Sequence, residues 1–273
     1  MDQKTNQLNK PGVFRWMVRP RLLSLSLLLS MVSAFLFSAC ESEKEEHTLT
    51  IFAAASLGDV LRELGKGFEQ GKEVNLRFNF GSSGTLARQI AEGAQPDLYI
   101  SANEKWAQYL QEEGAFGGSK PERIAQNRLV MIAPQNLRLD DFGIDSSLNL
   151  PAILGEKRLS LGDPNHVPAG QYARQALQHF DLYKEAEPYI LPGKDVRSAL
   201  MVVELEEAAL GVVYRTDALR SKKVNILAQF PQESHDGIYY YAGMCTERGL
   251  VKDFLSYLVS EEGKSIWERY GFE

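Results

Sequence analysis

Residues 74–90 read VNLRFNFGSSGTLARQI, and this stretch holds the repeating unit of the chain. Val74, Leu76, Phe78 and Phe80 alternate with polar residues, the period-two pattern of a half-buried strand. Gly81-Ser82-Ser83-Gly84-Thr85 then turns the chain, and Leu86 and Ile90 take up helical spacing. The same unit recurs upstream. Thr48–Phe52 is short and β-prone, and Ser56 precedes a helical face of Leu57, Val60, Leu61, Leu64 and Phe68. Ser56 with Asp59 predicts a capping-box-like start, the acid also suiting the positive helix end. Downstream, Leu98–Ile100 predicts a strand and Lys105–Glu112 a helix closed by Gly114. Strands alternating with helices in this way predict a parallel α/β sheet.

A second series follows. Leu129–Ala133, Arg158–Leu161, Leu210–Tyr214 and Val224–Leu227 read as strands. Pro168-Ala169-Gly170 opens a helix through Phe180, and Asp195 caps another with Val196, Leu200, Val203 and Leu205 apolar. Phe254, Leu255 and Leu258, then Ile266, Trp267 and Tyr270, predict two closing helices. Two α/β lobes fit this order better than one sheet of nine or more strands. The expected division is residues 48–128 plus 232–273 for lobe 1 and 129–231 for lobe 2.

Charge separates the first forty residues from the rest. Residues 1–39 hold five of the 30 basic side chains and one of the 36 acidic, so the remaining 234 carry 25 and 35, a net −10. Such a body has no basic surplus to displace counterions from phosphates, which argues against nucleic acid as a partner. LLSLSLLLSMVSAFLF at 22–37, after Arg19 and Arg21, is a secretory core interrupted by four serines and shorter than a span of about 20 residues. Ser38 and Ala39 directly before Cys40 resemble the lipobox of bacterial lipoproteins, with Phe37 where that pattern usually has Leu. The expectation is a signal peptide over 1–39, a diacylated Cys40 and an acidic tether over 40–47; an ordinary signal peptide with an incidental Cys is the alternative. Two acyl chains supply the two signals that stable anchoring requires. Cys245, the other of two cysteines, is then expected to be a buried small hydrophobe. Secretion removes the protein from ATP and favours binding or hydrolysis over cofactor chemistry.

Catalytic patterns are weak. Gly81-Ser82-Ser83-Gly84 is not the G-x-S-x-G elbow, since its last glycine comes one residue early. Among four histidines only His166 and His235 flank candidate loops, and none pairs in sequence with a serine. There is no H-E-x-x-H and no paired Cys/His spacing for a metal. A glycosidase pair stays open, because carboxylates are abundant. The stronger signal is four loop-to-helix junctions rich in small or hydroxyl residues: Ala53–Ser56, Gly81–Thr85, Val167–Gly170 and Asp195–Arg197. A helix N-terminus offers free N–H donors and about half a positive charge, a ready anion site. The same residues are ordinary caps in any α/β protein, so one junction alone points to nothing.

At these junctions the chain resembles a known family. FAAASL at 52–57, GSSGTLARQI at 81–90, PDLYISAN at 96–103, LGDPNHVPAGQYARQAL at 161–177, DVRSAL at 195–200, GVVYRTDA at 211–218 and IWERYGF at 266–272 resemble, in order, the periplasmic molybdate-binding proteins of ABC importers. The resemblance implies a two-lobe periplasmic binding protein of the type with two crossover strands, its ligand in the cleft. It implies five residues on the oxyanion: Ser56 and Ser83 through hydroxyl and backbone N–H, Ala169 and Val196 through backbone N–H, and Tyr214 through its phenol. Read without the family, Tyr214 is a core tyrosine. Gly84 departs from the pattern, related proteins often having a third serine there. The implied partners are an ABC permease in the membrane and a cytoplasmic ATPase, with a monomeric receptor, no enzyme activity, no cofactor and no bare metal ion.

The chemistry of the anion suits such a set. Molybdate at neutral pH is an unprotonated dianion whose oxygens only accept hydrogen bonds. Hydrogen phosphate carries a proton that donors alone leave unpaired, a cost of about 1–3 kcal/mol. Sulfate must be rejected by size, and tungstate is expected to bind like molybdate. Alternatives are a receptor for another tetrahedral oxyanion such as sulfate, or an extracytoplasmic hydrolase using Ser83 with His166.

Overall fold

A computed structural model describes residues 47–137, 139 and 142–273. The expected signal peptide, the lipidated Cys40 and tether residues 40–46 lie outside the described residues. In chain order, β1 (Thr48–Ala54) leads through a 3-10 turn at Ala55–Leu57 into α1 (Gly58–Glu69). Then come β2 (Asn75–Gly81), α2 (Ser83–Ala91), β3 (Leu98–Ser101), α3 (Glu104–Glu112) and β4 (Glu122–Gln126). The chain crosses to β5 (Leu129–Pro134), α4 (Leu150–Leu154), β6 (Leu159–Gly162), α5 (Pro168–His179) and α6 (Tyr183–Ala186). It continues through β7 (Ile190–Gly193), α7 (Val196–Glu204), β8 (Leu210–Tyr214), α8 (Arg215–Arg220) and β9 (Val224–Gln229). It returns as β10 (Tyr239–Met244), α9 (Gly249–Leu258) and α10 (Glu261–Arg269).

These strands form two five-stranded sheets, ordered β2-β1-β3-β10-β4 and β7-β6-β8-β5-β9. Strands β1, β2 and β3 are parallel, as are β6, β7 and β8. Each sheet also holds strands laid antiparallel: β10 against β3 and β4, and β5 against β8 and β9. The sheets are therefore mixed, which corrects the all-parallel expectation. The reason is the crossing. The antiparallel strand in each sheet, β5 or β10, is the first one after a crossing and enters against the βαβ direction of its neighbours.

Burial follows the layers. β3, β5, β6 and β8 are buried at every residue, as strands covered by helices on both faces must be. On α1 the buried face is Val60, Leu61, Leu64 and Phe68, and Phe68 meets Phe254 of α9 edge-on at 5.1 Å. Asn127–Arg128 and the segment from Phe230 to Ile238 make the two crossings. They are tied to each other, with Asn127 N donating to Ile238 O at 3.0 Å and Phe230 N to Leu129 O at 2.9 Å. The chain end joins them: Glu273 exchanges backbone hydrogen bonds with Gln126, and its carboxylate pairs with Arg128. Cys245 is free and half-buried against the small cluster around Phe116, and burial pushes its thiol up to about 12, so it stays protonated.

Candidate ligand-binding site

The carboxyl ends of β1, β2, β3 and β8 and the N-termini of α2, α5 and α7 converge between the two sheets. Open α/β sheets place ligands at such a point, where N–H donors of helix starts face the strand ends. The pocket there is lined by Ala54, Ala55, Ser56, Gly81, Ser82, Ser83, Ala102, Val167, Pro168, Ala169, Asp195, Val196 and Tyr214. All five residues singled out in the sequence, Ser56, Ser83, Ala169, Val196 and Tyr214, line this one pocket. Each is 4% exposed or less, so the space is closed to solvent. Its volume is about 210 Å³.

The lining is neutral apart from Asp195, whose carboxylate is turned to its own helix. Its Oδ1 accepts from Ser198 N at 2.7 Å and Ser198 Oγ at 2.9 Å, capping α7 as the sequence predicts. That leaves Val196 at the first position of α7, where backbone N–H groups have no intrahelical acceptor. Ser83 begins α2 and Ala169 is the second residue of α5, in the same situation. Small residues bring the backbone this close. A Cβ on Gly170 would stand 1.8 Å from Gly162 O, so α5 packs on the end of β6 only with glycine there. A Cβ on Gly84 would stand 2.5 Å from His166 O and 2.6 Å from the Trp106 ring, so the missing third serine is replaced by direct packing.

The hydroxyls have distinct partners. Ser83 Oγ accepts from Ala102 N at 3.0 Å, which leaves its own proton for the pocket. Ser56 does not cap α1, contrary to the capping-box expectation. The intervening 3-10 turn moves the α-helix start to Gly58, without a side-chain cap. Ser56 Oγ instead lies 2.9 Å from Tyr240 Oη. Tyr214 Oη is buried with no hydrogen-bond partner among the described residues, and burial holds its phenol well above its ordinary value, hence protonated. Ser82 Oγ is likewise buried and unpartnered. A serine preceding a helix usually caps it, and the unused hydroxyl of Ser82 is what sequence reasoning could not foresee.

Contacts across the cleft hold the pocket shut. Trp106 Nε1 donates to His166 O at 3.0 Å, and Asn103 Nδ2 donates to Gln171 Oε1 at 3.0 Å. Arg197 bridges the lobes, its Nη2 2.8 Å from Asp59 and its Nε 2.6 Å from buried Asp217. A larger cleft of about 1380 Å³ opens beside Asn103 and Gln171, but its walls carry Lys105, Arg123, Arg174, Glu104 and Asp236. Charges of both signs there do not make a donor-only site. The hydrolase geometry is absent as well: Ser83 Oγ bonds Ala102, while the His166 ring pairs with Asp163 at 3.6 Å.

This arrangement encloses a solute between two lobes joined by two crossings, the α/β architecture of periplasmic binding proteins of the type with two crossover strands. The chain belongs to the bacterial extracellular solute-binding protein family, whose model matches residues 49–273. Proteins of this kind bind and hand over a solute and do not transform it. The molybdate-binding protein ModA of Escherichia coli strain K12 is 41% identical over 230 residues, covering 84% of this chain and 90% of that protein. The molybdate-binding protein ModA of Haemophilus influenzae is 38% identical over 255 residues, covering 92% and 98%. The solved periplasmic molybdate-binding protein of Azotobacter vinelandii superposes with a TM-score of 0.71 at 22% identity, covering 82% of this chain and 98% of that one, a likeness of fold.

Proposed function

We propose that this chain is the extracytoplasmic receptor of an ABC importer, capturing molybdate and tungstate and delivering them to a membrane permease driven by a cytoplasmic ATPase. The observation that carries the reading is the buried, unpartnered Tyr214 phenol in a closed pocket that also receives three helix N-termini. An orphaned buried hydroxyl costs about 1–3 kcal/mol, and an accepting oxyanion removes that cost. Ser56, Ser83, Ala169, Val196 and Tyr214 are the donors in this reading, with lobe 1 at 48–128 plus 232–273 and lobe 2 at 129–231. Relatives named for molybdate binding at 38% and 41% identity support the choice of anion. Neutral dipoles fixed in advance replace the anion's hydration shell, so a body of net −10 can hold a dianion without a lysine or arginine at its oxygens. The protein acts as a monomer tethered by a lipid on Cys40 and needs no cofactor.

Titration of Tyr214→Phe with molybdate tests this. Loss of one charge-assisted bond is expected to weaken binding by about tenfold or more with the fold unchanged. Wild-type affinity in the variant would return Tyr214 to a core role. For the anchor, Cys40→Ser is expected to move the protein from the membrane to the soluble fraction; continued membrane fractionation would contradict lipidation at Cys40.

A further inference from the structure

Ser56 can serve an anion only if its hydroxyl proton points into the pocket, and the bonds behind it decide that direction. The chain of partners begins in the crossing between β4 and β5. Asn127 is 2% exposed, and its Oδ1 accepts from Arg128 N at 2.8 Å. That bond fixes the amide's orientation, so the other side of Asn127 is an NH2 group that can only donate. It does so twice, to Thr216 Oγ1 at 2.9 Å and to Tyr240 Oη at 3.1 Å. A phenol has a single proton. With Asn127 donating to Tyr240 Oη, that proton goes to the phenol's other partner, Ser56 Oγ, at 2.9 Å. Ser56 Oγ is thereby an acceptor on its buried side, and its own proton is left for the pocket it lines.

We propose that Asn127 and Tyr240 are positioning residues that polarise the Ser56 hydroxyl, making it a hydrogen-bond donor to the bound oxyanion. The proposal rests on the oxyanion-receptor reading of the pocket. Neither residue touches the ligand; both act through Ser56. Tyr240 is fully buried and burial holds its phenol above the ordinary value, so its proton is retained at all working pH. Thr216 belongs to α8 and Tyr240 to β10, so one amide in a crossing segment engages both lobes. The donor direction of Ser56 is therefore set where the lobes join.

A double-mutant cycle tests the relay, with molybdate affinity and thermal midpoint measured for wild type, Tyr240→Phe, Ser56→Ala and the double variant. If Tyr240 acts through Ser56, Y240F weakens molybdate binding by about fivefold in the wild-type background and by less than about twofold when Ser56 is already alanine. An equal loss in both backgrounds, or no loss in the first, overturns the relay. Asn127→Asp gives a second handle should Y240F unfold. A carboxylate in place of the NH2 group accepts the phenol's proton, and Ser56 then turns its proton toward Tyr240 and its lone pairs toward the anion. Molybdate affinity is expected to fall by at least about tenfold in folded N127D; retained affinity overturns the relay. Wild-type protein silent to molybdate, tungstate and sulfate would overturn the receptor reading and the relay together. Binding by wild type with an additive Y240F loss overturns the relay alone.

Discussion

Asp217 is wholly buried, with the Arg197 guanidinium at 2.6 Å and no other polar partner among the described residues. Burial pushes its carboxyl up from 3.8 to about 7, Arg197 opposing the shift. The sign of the consequence is unusual for an acid. Between about pH 4 and 7 the folded state holds this proton more tightly than the unfolded chain, so the Asp217 contribution to stability is lost as pH rises through about 7. Asp217→Asn keeps a neutral group there at every pH. Its thermal midpoint is expected to match wild type below about pH 4, to exceed it increasingly between about pH 4 and 7, and to keep a constant lead above that. A midpoint difference that does not change with pH would contradict this account. Legibility at the residue scale divides along similar lines. Ser56, Ser83, Ala169, Val196 and Tyr214 are visible because they sit in short motifs. Asn127 and Tyr240 are not, since their bonds join residues up to 184 positions apart.

Gly170 marks where an element's position depends on one missing side chain. It lies in the first turn of α5, and the helix start meets the Gly162 carbonyl at the end of β6. Gly170→Ala forces backbone against backbone, at a cost of about 2–3 kcal/mol. Urea unfolding is expected to show a lower midpoint, and an unchanged midpoint would mean that the two elements part easily. Elements with a strong period were legible: α1, α5, α7, β2 and β8 fall within a few residues of their sequence readings. β4, β7 and β10 were not recognised. β7 contains Pro192 and Gly193, which are poor strand formers, and β10 begins with three consecutive tyrosines that show no alternation. β10 is also the strand that makes its sheet mixed, so missing it produced the all-parallel expectation.

Residues 47–273 form two sheets closed over a small space, with Arg197, Trp106 and Asn103 reaching across. Closure matters in the proposed reading, because donors from strand ends and helix starts on both sides then complete one set only when the lobes meet. In the proposed reading, a receptor built this way selects by the anion's protonation and size, not by its charge. The most direct measurement is calorimetric titration of residues 41–273 with molybdate, tungstate, sulfate and hydrogen phosphate. The account predicts one-to-one binding of molybdate and tungstate with a dissociation constant of about 1 μM or below, roughly −8 kcal/mol, and no heat from the other two. Hydrogen phosphate or sulfate binding as tightly as molybdate, or silence from molybdate, would contradict it.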